Sequence, residues 1–571
     1  METVTQNEKE LQDGEENRVA LHLKHESLLP AKELNSQTNS NHFCNGEADD
    51  SAQWNGVEPV CEWSEGENLE ETERLLRQHS GCAGPWRLFV SPLEGRGLAA
   101  QRPLSAGHLL LRDPPLVLAP RAAGSCRPLC ARCLRTRPAD SLHPCPAGCG
   151  MAVCCPTPDD CAPDGHRGEC RLLRGWGVRD CGGASARAQQ QAVLARASAA
   201  LRCLALPQEA RRLVARLYAH PHPRHGWEVT DLATELRSAP TPSQLRFMRR
   251  ACAVMDANAF EVSAGVRGLY PLSAMMNNEC SPNTTHGFDQ SHAMVVRAAV
   301  DIPEGRELTN SYTPLLWGTP ARHRHLQLTK HFLCRCERCR DPQEFGSLLS
   351  ALRCGRGGCP GAVVSEDPLD ESSPWRCGAC GWQLGAAKAR ATSAALGALL
   401  ARVDTGSPEA VAARLRCPAL AQLLHPCNQV AVELKSCLVW HYGHSAGYTW
   451  RELSDDDLCW KETACGELLA LLRKLRAGST RLTGLLMLEL SCTLEEKLRR
   501  QQGEADAVLQ AQMESYLQDA ASVFAGDVTA PPELWRRIAA LGRKLPANEW
   551  SSCPLEAPPD GQATVVSNCC T

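Results

Sequence analysis

Thirty-two cysteines in a chain of 571 residues are the strongest constraint on how this sequence can fold, because many of them come in tight groups. The N-terminus, "METVTQNEKELQDGEEN", is polar and acidic and lacks the apolar core of a signal peptide. An intracellular setting, nucleus or cytoplasm, is therefore expected, where thiols stay reduced and grouped cysteines point to metal rather than to disulfides. The first group lies in "CARCLRTRPADSLHPCPAGCGMAVCCPTPDDCAPDGHRGEC". Cys130 and Cys133 form one close pair and Cys145 and Cys149 a second, followed by Cys154, Cys161, His166 and Cys170. Zinc takes four thiolate or imidazole ligands in a tetrahedron, and a close pair lets one turn supply two of them, so these ligands suit two ions. Cys126 and Cys155 are spare thiols, and Cys155 competes with Cys154. So short a segment has little apolar core, and metal would supply its folding energy, on the order of 10 kcal/mol per ion.

The second group, "FLCRCERC", offers Cys334, Cys336 and Cys339. Three ligands leave a tetrahedron open, to be filled by water in a catalytic site or by a borrowed side chain in a structural one. Cys280, isolated in the turn-like "MMNNECSPNTTHGF", is the obvious lender. The third group pairs Cys354 and Cys359 with Cys377 and Cys380, the spacing of a zinc ribbon.

The length calls for several domains. Sixty-one Lys and Arg against 65 Asp and Glu leave a formal net charge of -4, which disfavours broad, charge-driven nucleic-acid binding. No apolar run reaches bilayer length, and the longest, "LTGLLMLELSCTL", carries Glu489. The terminal "NCCT" has Asn568 where prenylation needs a cysteine. Strand and turn signals occupy "WRLFVSPLEGRGLAAQRPLSAGHLLLRDPPLVLAP" and return from Phe260 to Tyr312, whereas residues 186–256 and the stretch after the third group read as helical. In "SDDDLCWKETACGELLALLRKLRAG", Ser454 caps the helix and Asp455 and Asp456 fill its first turn. Arg473, Lys474 and Arg476 fill the last turn, and Gly478 stops it. Leu458, Cys465, Leu468, Leu472 and Leu475 form its buried stripe, so Cys465 is a core residue rather than a ligand. "HPHPRHGW", with His220, His222 and His225, reads as a solvated loop, and His323, His325 and His331 in "RHRHLQLTKH" read as one basic helical face.

These motifs carry a resemblance. The first cysteine block resembles a MYND zinc finger, whose eight ligands bind two zincs in crossed fashion. "EGRGL", "NNECSPN" and "EGRELTNSY" are similar to successive motifs of a split SET domain, and "CRCERC" to the post-SET C-x-C-x-x-C. In this order they resemble the SET-and-MYND (SMYD) protein-lysine methyltransferases, most of all the arthropod-specific SmydA subgroup. The resemblance implies an α+β fold: a split SET β-fold with an inserted MYND finger and helical insert, a post-SET zinc site, a zinc ribbon and a TPR-like helical domain. The expected divisions are a disordered acidic segment (1–78), the first SET part (79–125), the MYND finger (126–172), a helical SET insert (173–258) and the SET core (259–315). The post-SET segment (316–341), the ribbon (342–384), the C-terminal helical domain (385–550) and a flexible tail (551–571) complete the chain.

The resemblance also implies the chemistry, namely methyl transfer from S-adenosylmethionine to a protein lysine, histone or otherwise, in transcriptional regulation. Glu94, Gly95, Arg96 and Gly97 would lie along the cofactor, Asn277 and Asn278 would hold its two ends, and Phe332 would stack on its adenine. Tyr312 would be the catalytic residue, with its hydroxyl at the transferred methyl, and Phe260, Tyr270 and Lys330 would line the substrate channel. Cys280 would complete the post-SET zinc site, giving four zincs in all: two in the finger, one post-SET and one in the ribbon. Asn278 stands where the family has histidine, Glu279 where it has serine, and Lys330 where many members have tyrosine. A cation at 330 would have to point to solvent to keep clear of the cofactor's sulfonium. The alternative function is a SET scaffold without turnover, an adaptor such as a corepressor that binds proline-rich peptides through the finger.

Overall fold

The strand signals on either side of the first cysteine block fold together. A computed structural model describes residues 69–541 except 82, 92–94, 122–128, 156–164, 221–225, 264, 502–505, 526 and 528. Before the block come β1 (Trp86–Ser91), β2 (Gly95–Ala100), β3 (Leu109–Asp113) and β4 (Val117–Pro120). A small hairpin of β5 (His143–Pro144) and β6 (Ala152–Val153) belongs to the block itself. After it come β7 (Phe260–Ser263), β8 (Val266–Leu269), β9 (Asn277–Asn278), β10 (Thr284–Phe288), β11 (Met294–Ala298) and β12 (Glu307–Asn310). The sheets interleave the two halves, in the orders β1-β2-β12-β9, β10-β11-β3 and β4-β8-β7. Leu98, Leu110, Leu111, Leu269, Met294, Val296 and Leu308 fill the core between them.

Strand β12 joins two segments far apart in the chain. It lies antiparallel to β2 but parallel to β9, with Thr309 opposite Asn277 and Asn310 opposite Asn278. It thereby carries Tyr312 to the asparagine pair. Gly97 is the tight point of this sheet, since a Cβ there would stand 2.3 Å from a Glu307 carboxylate oxygen and 2.9 Å from the Asn277 amide.

The insert is helical over Arg167–Trp176, Gly183–Ala205, Gln208–Arg216, Trp227–Glu235 and Pro242–Asn258. The last helix starts at a capping box: Thr241 accepts from the Gln244 backbone and the Gln244 side chain accepts from the Thr241 N–H. A helix over Leu69–Ser80 corrects the expectation that residues up to 78 are disordered. Its acidic residues stay on one side, and Leu75 and Leu76 turn into the core.

Beyond the SET-like sheets, β13 (Leu352–Arg353), β14 (Ala362–Ser365), β15 (Trp375–Cys377) and β16 (Gln383–Leu384) form an antiparallel sheet in chain order. Helices over Gln429–His441, Asp455–Lys474, Arg481–Arg500, Ala507–Val523 and Pro532–Ala540 pack each on the next. Among the described residues no helix is long and apolar enough to cross a membrane. Glu489, the acid in the most apolar run, is buried on the fully buried Lys461, 2.7 Å away. Ser454 caps the Asp455–Lys474 helix by accepting from Asp457 N at 3.1 Å, and its leucine stripe is buried as the pattern predicts. Its stop differs from the expected one. Arg476 takes the first left-handed turn, with φ of 56°, two residues before Gly478, which is itself left-handed at 59°, and Ala477 N–H closes on Leu472 O at 3.0 Å. Gly478 serves a close approach instead, because a Cβ there would lie 2.1 Å from Ala299 O, where Ser479 N–H docks at 3.0 Å.

Candidate functional site

The cysteine groups converge. Cys145, Cys149, His166 and Cys170 bring their ligand atoms within 4.8 Å of one another, as do Cys354, Cys359, Cys377 and Cys380. Cys280, from the turn after β9, joins Cys334, Cys336 and Cys339 in a third such set. Its thiol stands 3.8 Å from that of Cys334 and 3.5 Å from that of Cys339. Cys130, Cys133 and Cys154 form a set of three. Cys155 lies with its sulfur 3.8 Å from that of Cys154, and Cys161 is outside the described residues. Four soft thiolates, or three and an imidazole, at this separation are the donor set of a tetrahedral zinc.

The surroundings fit an anionic metal–thiolate cluster. Arg322 and Arg338 are fully buried on Glu344, at 2.7 and 3.2 Å, and one carboxylate cannot balance two guanidinium groups. Arg322 donates to the Cys339 sulfur at 3.4 Å and Arg338 to Cys280 O at 2.8 Å. Thiolates bound to a metal here would supply the missing negative charge. In the first cysteine block, His166 Nδ1 contacts the buried Glu169 at 2.9 Å while Nε2 lies 3.4 Å from the Cys149 sulfur. Arg202 and Ser198 in turn hold Glu169, at 2.6 and 2.5 Å. A carboxylate behind the ligating imidazole fixes its ring and tautomer.

These supporting residues escaped the sequence reading. The available signal was a charged residue beside or between ligands: Arg338 between Cys336 and Cys339, and Glu169 next to Cys170. Arg322 and His323 also correct the basic helical face expected there. Both are buried, and the His323 Nε2 meets Cys334 O at 3.1 Å.

Beside the Cys280 cluster lies a cavity of about 1160 Å³, lined among others by Gly95, Arg96, Asn277, Asn278, Tyr312 and Phe332. Asn278 is a strut: its carbonyl oxygen accepts from Tyr312 N–H at 2.8 Å and its amide donates to the Cys334 sulfur at 3.4 Å. The tyrosine backbone is thus tied to the metal-ligand cluster. The Tyr312 hydroxyl donates to Met276 O at 2.7 Å, which fixes its direction. Phe332 meets Tyr312 edge-on at 6.5 Å and keeps 37% of its surface open, a ring face available for stacking. Asn277 donates to Glu307 at 2.7 Å. Glu279, the anion where the family has serine, is raised by burial but held by Thr309 at 3.2 Å and Arg306 at 3.5 Å.

Several expected site residues behave differently. Glu94 is outside the described residues. Tyr270 is fully buried, with its hydroxyl bonded to His292 O at 2.8 Å, so it is a packing residue rather than a channel wall. Phe260 is half-buried against Tyr270 and His286, at ring distances of 6.0 and 5.7 Å, and does not line the cavity. Lys330 does not point to solvent. Its amine donates to Ala257 O at 2.6 Å and lies 5.5 Å from the centre of the Tyr312 ring. Burial pushes that amine down to about 8.

Comparison with known proteins supports one reading of this geometry. The SET domain family matches residues 95–313. The SET domain-containing protein SmydA-8, isoform B, of Drosophila melanogaster is 33% identical over 438 residues, covering 73% of this chain and 94% of that protein. Histone-lysine N-methyltransferase SMYD3 of Homo sapiens is 28% identical over 286 residues, 46% of this chain and 63% of that protein. Histone-lysine N-methyltransferase ASHR1 of Arabidopsis thaliana is 33% identical over 109 residues, 18% of this chain and 22% of that protein.

Proposed function

Because the chain belongs to the SET-and-MYND (SMYD) family of protein-lysine methyltransferases, on the side of its SmydA members, we propose that it transfers a methyl group from S-adenosylmethionine to a lysine of another protein. The observation that carries this is the Tyr312 hydroxyl, pinned on Met276 O at the wall of the cavity that Asn277, Asn278 and Phe332 share. The cofactor supplies an electrophilic methyl on a sulfonium. Gly95, Arg96 and the two asparagines would orient it, Phe332 would stack on its base, and Tyr312 would position the acceptor amine. Zinc fills the cysteine clusters, with two ions in a MYND finger, one at Cys280 and one in the ribbon, and acts in folding rather than in chemistry. The protein works in the nucleus or cytoplasm, in transcriptional regulation. Calorimetric titration of zinc-loaded protein with S-adenosylmethionine tests the reading. Saturable binding is expected, with transfer lost and binding kept in Tyr312→Phe, and well-folded protein that binds no cofactor ends it.

A second reading is favoured by Lys330, whose amine lies in the same cavity as Tyr312 and would add a positive charge to a site for a cationic cofactor. It is an adaptor without turnover that binds proline-rich peptides through the finger. Capture of such a peptide that depends on Cys145 and His166 but tolerates Tyr312→Phe selects it.

A further inference from the structure

Lys330 closes the helix over Thr319–Thr329. From there its side chain folds back into the cavity rather than out of it. The stem is half-buried and the amine hydrogen-bonds the carbonyl of Ala257, just before the Asn258 end of the preceding long helix. Two features of this arrangement suit a nucleophile. The amine shares the cavity with Tyr312, the hydroxyl that the proposed function uses to position an acceptor nitrogen, at 5.5 Å from its ring centre. It is also tethered by one hydrogen bond to a neutral carbonyl rather than by a salt bridge. Asp256, the carboxylate whose charge acts on the amine, is engaged by Arg267 at 3.0 Å.

The charges around the amine act in both directions. Asp256 favours the ammonium, while Arg267 and the loss of water oppose it, and opposition wins. His325 is itself lowered by burial and by Lys330, and His331 stacks on His220 at 3.6 Å on the same cavity wall. An incoming sulfonium adds a further positive charge and favours the neutral, nucleophilic amine still more. A lysine built as a mere helix end would gain nothing from this place, since water would solvate it better.

We propose that Lys330 is itself a methyl acceptor, an internal substrate held beside Tyr312; this rests on the methyltransferase reading above. The Nζ lone pair forms the new bond to the methyl carbon as the carbon–sulfur bond breaks. The bonding pair stays on sulfur, which becomes a neutral thioether, and the extra proton on nitrogen leaves to water. A methylated Lys330 retains its basicity but fills the space beside Tyr312, so the modification changes the room left for an external lysine.

The test uses full-length, zinc-loaded protein. Incubation with methyl-labelled S-adenosylmethionine and peptide mass mapping is expected to find the label on Lys330, at a rate independent of protein concentration, and to lose it in Tyr312→Phe. Calorimetry with S-adenosylmethionine and S-adenosylhomocysteine gives a readout that needs no turnover. The cationic ligand is expected to bind roughly tenfold less well relative to the neutral one at pH 7 than at pH 9, and Lys330→Met removes that difference. Bound cofactor with Lys330 unlabelled overturns the self-acceptor alone, as does a labelling rate that climbs with protein concentration or a ligand preference indifferent to Lys330→Met. Absence of cofactor binding removes the methyltransferase reading and this proposal together.

Discussion

The zinc-ligand-rich SET half and the helical tail use the same residue in opposite ways. Between 130 and 380, most of the described cysteines face one another in sets of three and four around points that a metal ion would occupy, while Cys203 and Cys252 are core residues. In the tail, Cys437, Cys465 and Cys492 are buried one at a time inside helix cores. Burial pushes the Cys437 and Cys465 thiols up to about 12, and Cys492 also rises, so they remain protonated and act as small apolar groups. The difference lies in what surrounds the sulfur. Arg322 and backbone donors meet it in the first region, and leucines meet it in the second. A cysteine's role is set by charge and spacing, not by burial, since Cys280 and Cys465 are equally hidden.

Four substitutions strain this contrast, in falling order of effect. Cys280→Ser is expected to remove one zinc, counted by native mass spectrometry, and with it binding energy on the order of 10 kcal/mol that holds the cavity wall. An unchanged zinc count would erase the distinction between the two regions. Glu344→Ala leaves two buried guanidinium groups without their carboxylate, and chemical denaturation should register a loss of about 3–5 kcal/mol. Its pH dependence has a definite sign. Arg322 and Arg338 hold the Glu344 carboxyl below its ordinary value against the cost of burial. The wild-type advantage is therefore complete above the usual carboxylate range and fades as pH falls through the lowered value. Glu169→Gln removes the carboxylate behind His166, and zinc competition should show affinity for the finger weakened by about 10- to 100-fold with the fold intact. Smallest is Cys465→Ala, at about 1 kcal/mol of stability with no zinc lost. A lost ion there would mean that a tail cysteine is a ligand after all.

How far the sequence could be read obeys the same division. Ligands within one block are local in sequence, so their spacing was legible, and Cys280 stood out because a cysteine in a turn of asparagines has no packing role. The stripe of the Asp455–Lys474 helix was legible through its period. What escaped depends on distant partners. Arg322 looks like a solvated residue until Glu344, 22 positions later, folds over it. The helix at Leu69–Ser80 was hidden by its acidic residues, because its leucines matter only against a sheet formed later in the chain. Tyr270 carries the right ring for a channel, and only the fold reveals that His292 O takes its hydroxyl. Lys330 was expected to seek water, but the carbonyl of Ala257, 73 residues earlier, holds it inside.

The order of ligands at the Cys280 cluster also sets a schedule for synthesis on the ribosome. Cys280 emerges 54 residues before Cys334. A nascent chain stopped anywhere in that interval owns one ligand of four, and Asn278 lacks its sulfur partner throughout. The cleft is therefore finished only after residue 339 has cleared the exit tunnel, and until then the pairing of Asn277 and Asn278 with Thr309 and Asn310 is what holds the asparagine loop in register.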